Sequence, residues 1–446
     1  MKFVNREQEL TALDAMWQRP GTQFLVLYGR RRVGKTALLL RWAADKPAIY
    51  WVARRTSTTN LLRDFSQAIY RHEHPAAPVD SAFSFPSWEM ALRQAGHLAA
   101  DERLLLILDE LPYAFAADPS LSSTLQLVWD HDLQHTNLFL VAAGSRIGMV
   151  EQEMLSYRAP LYGRATGKML LRPLPFYALA EFFPRYSAVQ RVTVYAVLGG
   201  VPAYLRTFDD RQPVESNIRE RILSEVSLFQ NEPYFLIQDE INQPRNHLAV
   251  LQAVGTGHRQ LSDIARAAGL DRSHVGRYLN TLVGLHLVER TVPITVRHPE
   301  RSRKGHYRIA DPYLRFYFRF LAPNQEWIEQ GRMQRVWQQV EGQLNAFVGR
   351  TAFEDLCRTW VLTAGDQEEL PFVPERAGRY WDAHTEIDVA AISWSDQALL
   401  LGEARWRAQP VGVPALDRLR AKAERIRPGR DWAVHLALFS RAGFTR

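Results

Sequence analysis

An eight-residue segment near the N-terminus has the residue types and spacing of a phosphate-binding loop. Gly29-Arg-Arg-Arg-Val-Gly34-Lys35-Thr36 fits the pattern G-x-x-x-x-G-K-[ST]. The apolar run Phe24–Tyr28 precedes it and a leucine-rich stretch follows, so a strand, the loop and a helix are expected in that order. Glycines let backbone N–H groups and the helix N-terminus face an anion. We therefore expect the phosphates of ATP to contact the following residues: Gly29, Arg32, Val33, Gly34, Lys35 and Thr36.

Two carboxylates follow another apolar run, Leu104–Leu108. Asp109 would lie at the carboxyl end of a buried strand, which is where ligands bind in open α/β sheets. With the Thr36 hydroxyl it is predicted to hold Mg²⁺, while Lys35 balances phosphate charge and Glu110 polarises the attacking water. Ser145, which follows the next apolar run, is expected near the γ-phosphate. These residues predict ATP hydrolysis.

Apolar runs at 24–28, 48–52, 104–108 and 138–142 are typical of buried strands, and the segments between them are long enough for helices. Alternating strands and helices predict an α/β fold with a mostly parallel sheet, as in P-loop NTPases. We divide the chain into four domains: an ATPase core at 1–175, a helical lid at 176–245, a winged helix-turn-helix at 246–325, and a C-terminal α/β domain at 326–446.

The third of these segments has the pattern of a helix-turn-helix. A helix over 258–270 is expected to end near Gly269, and a second helix runs to about Leu285. Two strands joined by a basic loop follow and would form a wing. Such modules also bind proteins, and basic loops are often only solvated, so both alternatives stay open. The residues predicted to contact DNA are Arg272, His274, Arg277, Arg301, Arg303 and Lys304.

Near the C-terminus, residues 385–392 and 399–406 are predicted to form a β-hairpin that turns at Ser395-Asp396. Asp388 followed by Glu403-x-Arg405 is similar to the Asp…Glu-x-Lys signature of restriction-endonuclease-like folds, and Glu354 could approach from a preceding helix. In those folds carboxylates bind Mg²⁺ and the lysine helps to activate water. Arg405 stands at the lysine position and cannot act as a base. We therefore favour a structural or DNA-holding remnant over an active nuclease.

The overall composition restricts which binding partners and which cellular compartment are expected. The 446 residues carry a net charge of +7, with ten Lys/Arg against four acids in 256–308 and ten against three in 405–446, which favours a polyanion partner. The single cysteine, Cys357, excludes an intramolecular disulfide. The longest aliphatic run is far shorter than the ~20 residues of a membrane span. No secretory signal is recognised, so we expect a cytoplasmic protein without membrane contact.

Several segments together resemble the archaeal-type P-loop ATPases of the AAA+/STAND group. They are Phe3–Leu10, the phosphate loop, Leu108–Tyr113, Trp129-Asp130, Gly144-Ser145, Pro160–Arg164 and Gly199–Leu205. That family continues into a winged helix and a restriction-endonuclease-like domain, so the resemblance covers the whole chain. It implies that Arg6 and Pro202 line the adenine side and that Arg164 is a sensor or trans-acting arginine. The alternative for Arg164 is an ordinary surface arginine.

Three functions are consistent with these patterns. The first is an ATP-switched DNA-binding protein. The second is an ATP-dependent nuclease that uses Glu354, Asp388 and Glu403. The third is a nucleotide-switched assembly scaffold, acting as a homo-oligomer or with a protein partner.

Overall fold

The computed structural model describes residues 3–241, 243–426, 428–429 and 431–445. The chain forms two compact units. The first contains the described residues up to Leu174 together with Val201–Ala203, and the second contains the rest. The division into four domains stays a prediction.

The first unit is built on a five-stranded sheet with the order β2-β3-β4-β1-β5, in which every neighbouring pair is parallel. Four of its strands match the apolar runs that predicted them. The strands are β1 (Gln23–Tyr28), β2 (Ala48–Val52), β3 (Leu104–Asp109), β4 (Leu138–Gly144) and β5 (Gly167–Leu170).

Seven helices belong to this unit among the described residues: α1 (Glu7–Trp17), α2 (Lys35–Ala43), α3 (Thr58–Glu73), α4 (Trp88–Leu98), α5 (Pro112–Ala117), α6 (Leu121–His131) and α7 (Ile147–Val150). Side chains of β1 alternate between two apolar clusters, with Phe24 and Val26 in one and Leu25 and Leu27 in the other. The sheet is therefore covered on both faces, and the strands read as continuous apolar runs for that reason.

The strand order decides where the polar residues meet. Because β4 lies between β1 and β3, the residue after β4 lies between the loop after β1 and the acids after β3. All three segments leave the carboxyl edge of the sheet, since the strands are parallel. Ser145, the phosphate loop and Asp109-Glu110 therefore come together at one edge.

The second unit is largely helical before its last sheet. The helices that precede the C-terminal sheet are α8 (Leu179–Phe182), α9 (Ala188–Leu198), α10 (Pro202–Leu205, whose first two residues belong to the first unit), α11 (Val214–Asn217), α12 (Glu232–Glu240), α13 (Arg245–Gly255), α14 (Leu261–Ala268), α15 (Arg272–Gly284), α16 (Pro312–Phe316), α17 (Gln325–Glu329), α18 (Met333–Val348) and α19 (Glu354–Asp366). A π-helical turn, Gly349–Phe353, joins α18 to α19.

Helices α14 and α15 form the predicted helix-turn-helix. Gly269 ends α14 in the left-handed conformation (φ 64°), which glycine adopts without a Cβ clash. Strands β6 (Val288–Thr291) and β7 (His306–Ile309) pair antiparallel and carry the wing. The aromatic-rich segment that follows is core rather than a stacking surface, since Tyr313, Phe316 and Phe320 are buried.

The C-terminal sheet contains β8 (Arg376–Trp381), β9 (Glu386–Ser393), β10 (Ala398–Arg405) and β11 (Ala433–Ser440), with helix α20 (Val413–Ala423) between the last two strands. Strands β9 and β10 form the predicted antiparallel hairpin, and β11 runs parallel to β10. None of the described helices combines the length and apolar character that crossing a membrane requires.

Candidate nucleotide-binding site

The phosphate loop runs from the end of β1 into α2 with two glycines in conformations that other residues rarely adopt. Gly34 has φ 99° at the start of α2. Gly29 has φ 151°, and a Cβ there would lie 2.4 Å from the Leu171 carbonyl oxygen of the neighbouring chain segment. Both positions therefore exclude ordinary side chains, which is why the motif requires glycine at its two ends. Between them, Arg32 is exposed with φ 68° and Val33 is fully buried.

Lys35, the first residue of α2, turns its ammonium group back onto this loop. Its Nζ donates to the Gly29 carbonyl at 2.9 Å and to the Arg30 carbonyl at 3.2 Å, and the side chain is buried. A buried ammonium is costly unless its donors are satisfied. The loop thus positions one positive charge among backbone groups.

Thr36 and Asp109 meet across the edge of the sheet. The Thr36 hydroxyl donates to Asp109 Oδ2 at 2.8 Å, and the hydroxyl of Tyr50, the middle residue of β2, donates to the same oxygen at 2.6 Å. Asp109 is 1% exposed. Burial, together with the hydrogen bond to Asp109, raises the pKa of Tyr50 well above its usual range, so its hydroxyl stays a donor.

Glu110 is held from the neighbouring strand. Its backbone has φ 52°, and its Oε2 accepts from the Ser145 hydroxyl at 2.7 Å and from the Ser145 N–H at 3.1 Å. Glu110, which was predicted to polarise the attacking water, and Ser145, which was predicted to lie near the γ-phosphate, are thus direct partners. Two donors on one oxygen fix the carboxylate's direction.

The oxygen ligands present fit a magnesium ion that also binds phosphate. Thr36 and Asp109 supply one hydroxyl and one carboxylate, and Mg²⁺ at nucleotide sites takes one or two such ligands besides phosphates and water. Within the described part of the chain, no group of three or more His, Cys, Asp or Glu side chains could hold a metal alone.

The residues that the family resemblance implied have other contacts here. The Arg6 guanidinium donates to the carbonyls of Val33 (3.0 Å) and Arg172 (2.8 Å), so it fastens the start of α1 to the phosphate loop. Arg164 makes a bidentate pair with Asp130, with Nε and a terminal nitrogen at 3.0 and 2.8 Å. Pro202 begins α10. Their roles at a nucleotide stay predictions.

The predicted DNA contacts of the second unit are all exposed, namely Arg272, His274 and Arg277 on α15, and Arg301, Arg303 and Lys304 between the wing strands. The base of the wing is fastened by Arg290, which donates to the Pro299 and Ser302 carbonyls. The helix N-terminus and the wing thus present cations on the surfaces where a winged helix meets phosphates.

Each of the three C-terminal carboxylates has a cationic partner. Glu354 contacts Arg379 and, at 3.5 Å, Arg358. Burial raises the pKa of Glu354, and the arginines oppose that rise. Glu403, 2% exposed, contacts Arg405 and Lys422.

Asp388 accepts from the Ala404 N–H at 3.2 Å and from Arg405 at 3.4 Å. Arg405 thus contacts both carboxylates of the hairpin. An ion-pair network of this kind already neutralises the oxygens that a metal would need.

Sequence reasoning missed several of these residues. Tyr50 stands in a run that was treated only as a buried strand, and its hydroxyl, the single one in that run, was the available signal. Lys422 reaches Glu403 Oε1 at 2.5 Å from α20, a helix that had no assigned role. Arg358 and Arg379 had no signal beyond their charge, because their partners depend on the tertiary fold.

Comparison with known proteins identifies the class of protein that has this site. Residues 3–208 match an ATPase domain predominantly from Archaea, residues 245–291 match an IclR helix-turn-helix domain, and residues 317–423 match archaeal and bacterial proteins of unknown function. A solved Walker-type ATPase of Pyrococcus abyssi shares the fold, with a TM-score of 0.54 and 19% identity over 71% of this chain and 96% of its own. Fold and site define a P-loop ATPase-type protein with a helix-turn-helix.

Two curated relatives come from Methanocaldococcus jannaschii. An uncharacterized protein is 31% identical over 407 residues, covering 91% of this chain and 88% of the relative. An uncharacterized ATP-binding protein is 46% identical over 44 residues, which is 10% of this chain and 75% of the relative. The chain belongs to the family of archaeal-type P-loop ATPases that carry a helix-turn-helix and the C-terminal domain of unknown function.

Proposed function

We propose that this protein binds and hydrolyses ATP with Mg²⁺ and couples its nucleotide state to DNA binding. The observation that carries the proposal is the meeting of Lys35, Thr36–Asp109 and Glu110–Ser145 at the carboxyl edge of one parallel sheet. These are a cation, a pair of oxygen ligands and an oriented carboxylate. They are the groups that phosphoryl transfer to water requires.

Each residue has a chemical task in this proposal. Backbone N–H groups of the phosphate loop and the start of α2 bind the β- and γ-phosphates, and Lys35 moves from the loop carbonyls to the phosphate oxygens. Thr36 and Asp109 would hold Mg²⁺, which neutralises charge on the phosphates. Glu110 accepts a proton from the attacking water, and Ser145 holds Glu110 in direction.

Arg164 is proposed as a stabiliser of phosphoryl charge only after its pair with Asp130 opens, since four of its N–H donors are used inside the fold. Arg6 and Pro202 are proposed to bound the adenine side. The direct contact of Arg6 with the Val33 carbonyl supports a position next to the loop.

The DNA-binding part rests on the exposed cations of α15 and the wing, together with the helix-turn-helix match. The chain enters the first unit at Val201 and leaves it after Ala203, so a change near the nucleotide has a covalent route to the second unit. A homo-oligomer, a protein partner and a cytoplasmic location stay predictions.

The test is a titration of labelled duplex DNA with ATP, with ADP and without nucleotide, at several salt concentrations. The proposal expects affinities that differ between nucleotides, and expects Arg272→Ala/Arg277→Ala to bind duplex more weakly. Duplex affinity that is the same in all three states would remove the coupling. Binding that is unchanged in the α15 variant would remove the winged helix as the contact.

A further inference from the structure

The second unit contains a cleft of about 800 Å³ that shares strand β7 with the winged helix but is not lined by any of the six residues predicted to contact DNA. One wall comes from the end of α13 and strand β7. The opposite wall comes from α18 and from the turn between β8 and β9. Its volume falls within the ~300–1,000 Å³ of ligand sites.

The lining of this cleft is rich in guanidinium groups, which are Arg259, Arg308, Arg315, Arg319, Arg350 and Arg379. The deeper ones have acidic partners outside the cleft. Arg308 and Arg315 both contact Asp355, at 2.7 and 2.6 Å, and Arg379 contacts Glu354. These ion pairs fix the arginines in the inner part of the cleft, and the paired acids offset most of their positive charge.

The three arginines at the mouth, Arg259, Arg319 and Arg350, are exposed and much less neutralised. Among the described residues, the acid that Arg259 contacts is Glu386, at 3.7 Å, and Arg319 donates to the neutral amide oxygen of Gln343 at 2.6 Å. Within the described residues, no carboxylate lies at ion-pair distance from Arg319 or Arg350. Their charge is therefore available to an anion.

Two aromatic side chains, His306 and Trp381, line the same cleft as these charges and form a stacked pair, here called the aromatic wall. The rings of His306 and Trp381 are stacked, with centroids 4.6 Å apart and planes 11° from parallel. Burial and the nearby Arg259 lower the pKa of His306, so the imidazole is neutral near pH 7 and suited to stacking. Aromatic faces of this kind accept any nucleobase.

We propose that this cleft binds a single-stranded nucleic acid, with phosphates on Arg319 and Arg350 and an unstacked base against the His306–Trp381 wall. Guanidinium groups alone would suit any phosphate, and the aromatic wall is what favours a nucleotide chain. A duplex keeps the faces of its bases stacked against one another, so an aromatic wall that stacks on a base selects a single strand. This site is distinct from the α15 surface and does not depend on ATP binding.

The experiment uses the full chain without Mg²⁺ or ATP and a fluorescein-labelled ten-nucleotide dT strand, followed by anisotropy over a salt series. Arg319→Ala/Arg350→Ala should weaken binding at least tenfold and reduce the salt slope by about 1.4, since a single strand gives ~0.7 per phosphate contact. The matched control is Arg407→Ala/Arg418→Ala, which removes the same charge from exposed positions outside the cleft and should bind as wild type does.

Two further sets of variants distinguish between the possible results. Trp381→Leu should weaken binding while Trp381→Phe, which keeps a flat ring, restores most of it. The double variant Arg272→Ala/Arg277→Ala should bind the dT strand as wild type does. An error in the winged-helix proposal and an error in the cleft proposal therefore give different results. Equal binding by the cleft and control variants would overturn the inference. Complete competition by equimolar free dTMP would also overturn it, in favour of a mononucleotide site.

Discussion

The hydroxyl of Ser145 donates a 2.7 Å hydrogen bond to the carboxylate of Glu110, and the Ser145 N–H reaches the same oxygen at 3.1 Å. The two residues follow adjacent parallel strands, β4 and β3. A carboxylate that must accept a proton from water depends on its direction as well as its charge. The neighbouring strand supplies that direction.

Glu110→Gln and Ser145→Ala should both keep ATP affinity and slow hydrolysis, but to different extents. Loss of the general base costs ~10²–10⁴-fold in turnover. Loss of the hydroxyl leaves the Ser145 N–H in place and costs about tenfold, the equivalent of one hydrogen bond to a charged group. Phosphate release in single-turnover assays measures both. Ser122→Ala, a buried serine on α6, is the control; equal hydrolysis by wild type and Glu110→Gln would falsify the assigned role.

Tyr50→Phe tests the hydrogen bond that holds Asp109, one of the predicted magnesium ligands. Tyr50 orients Asp109 from β2, and partners of metal ligands commonly account for ~10–100-fold in metal affinity. We expect ATP affinity without Mg²⁺ to be unchanged and the Mg²⁺ concentration for half-maximal hydrolysis to rise about tenfold. Tyr70→Phe on α3 serves as the control. An unchanged Mg²⁺ requirement in Tyr50→Phe would show that the hydroxyl has no part in holding Asp109.

Asp355→Asn should destabilise the second unit. Burial opposes ionisation of Asp355, but Arg315, Arg308 and Arg358 together hold its pKa well below the usual range. Removing one partner of such a network costs roughly 3 kcal/mol at neutral pH. Urea unfolding of the two proteins measures the difference.

The pH dependence of that difference has a definite sign. The pKa of Asp355 is depressed in the folded state, so its stabilisation is complete above the unfolded value of ~3.9 and is lost as the pH falls below it. The gap between wild type and Asp355→Asn should therefore be constant from neutral pH down to about pH 5 and shrink below about pH 4. Asp366→Asn, an exposed acid on the same helix, should show no gap. A gap that widens in acid contradicts the assignment.

The C-terminal carboxylates are expected to give no cleavage of plasmid DNA with Mg²⁺ or Mn²⁺ and ATP. Arg405 and Lys422 already neutralise Glu403, and Arg379 neutralises Glu354. Wild type and Asp388→Ala should be equally inert in agarose-gel assays. Metal-dependent nicking that disappears in Asp388→Ala would restore the nuclease alternative.

Local patterns were enough to predict much of the first unit. The phosphate loop, the acids after β3 and the serine after β4 each follow an apolar run, and parallel strands bring such positions to one edge. The bond between Ser145 and Glu110 could not be predicted in the same way, because it depends on β4 lying next to β3.

In the second unit the helix-turn-helix and the hairpin were also predictable, because each is a contact between neighbours in the chain. The network of Asp355 with Arg308 and Arg315 joins residues some forty to fifty positions apart. Charge alone does not say which arginine meets which acid. The cleft lined by His306 and Trp381 escaped prediction for the same reason.

Isothermal titration calorimetry of the full chain with Mg·ATP, beside Lys35→Ala, tests the central claim most directly. The account predicts a saturable heat signal with one site per chain for the wild type and no signal for Lys35→Ala, since the phosphates lose the ammonium that faces them. An absence of heat from the wild type, or equal binding by Lys35→Ala, would contradict it.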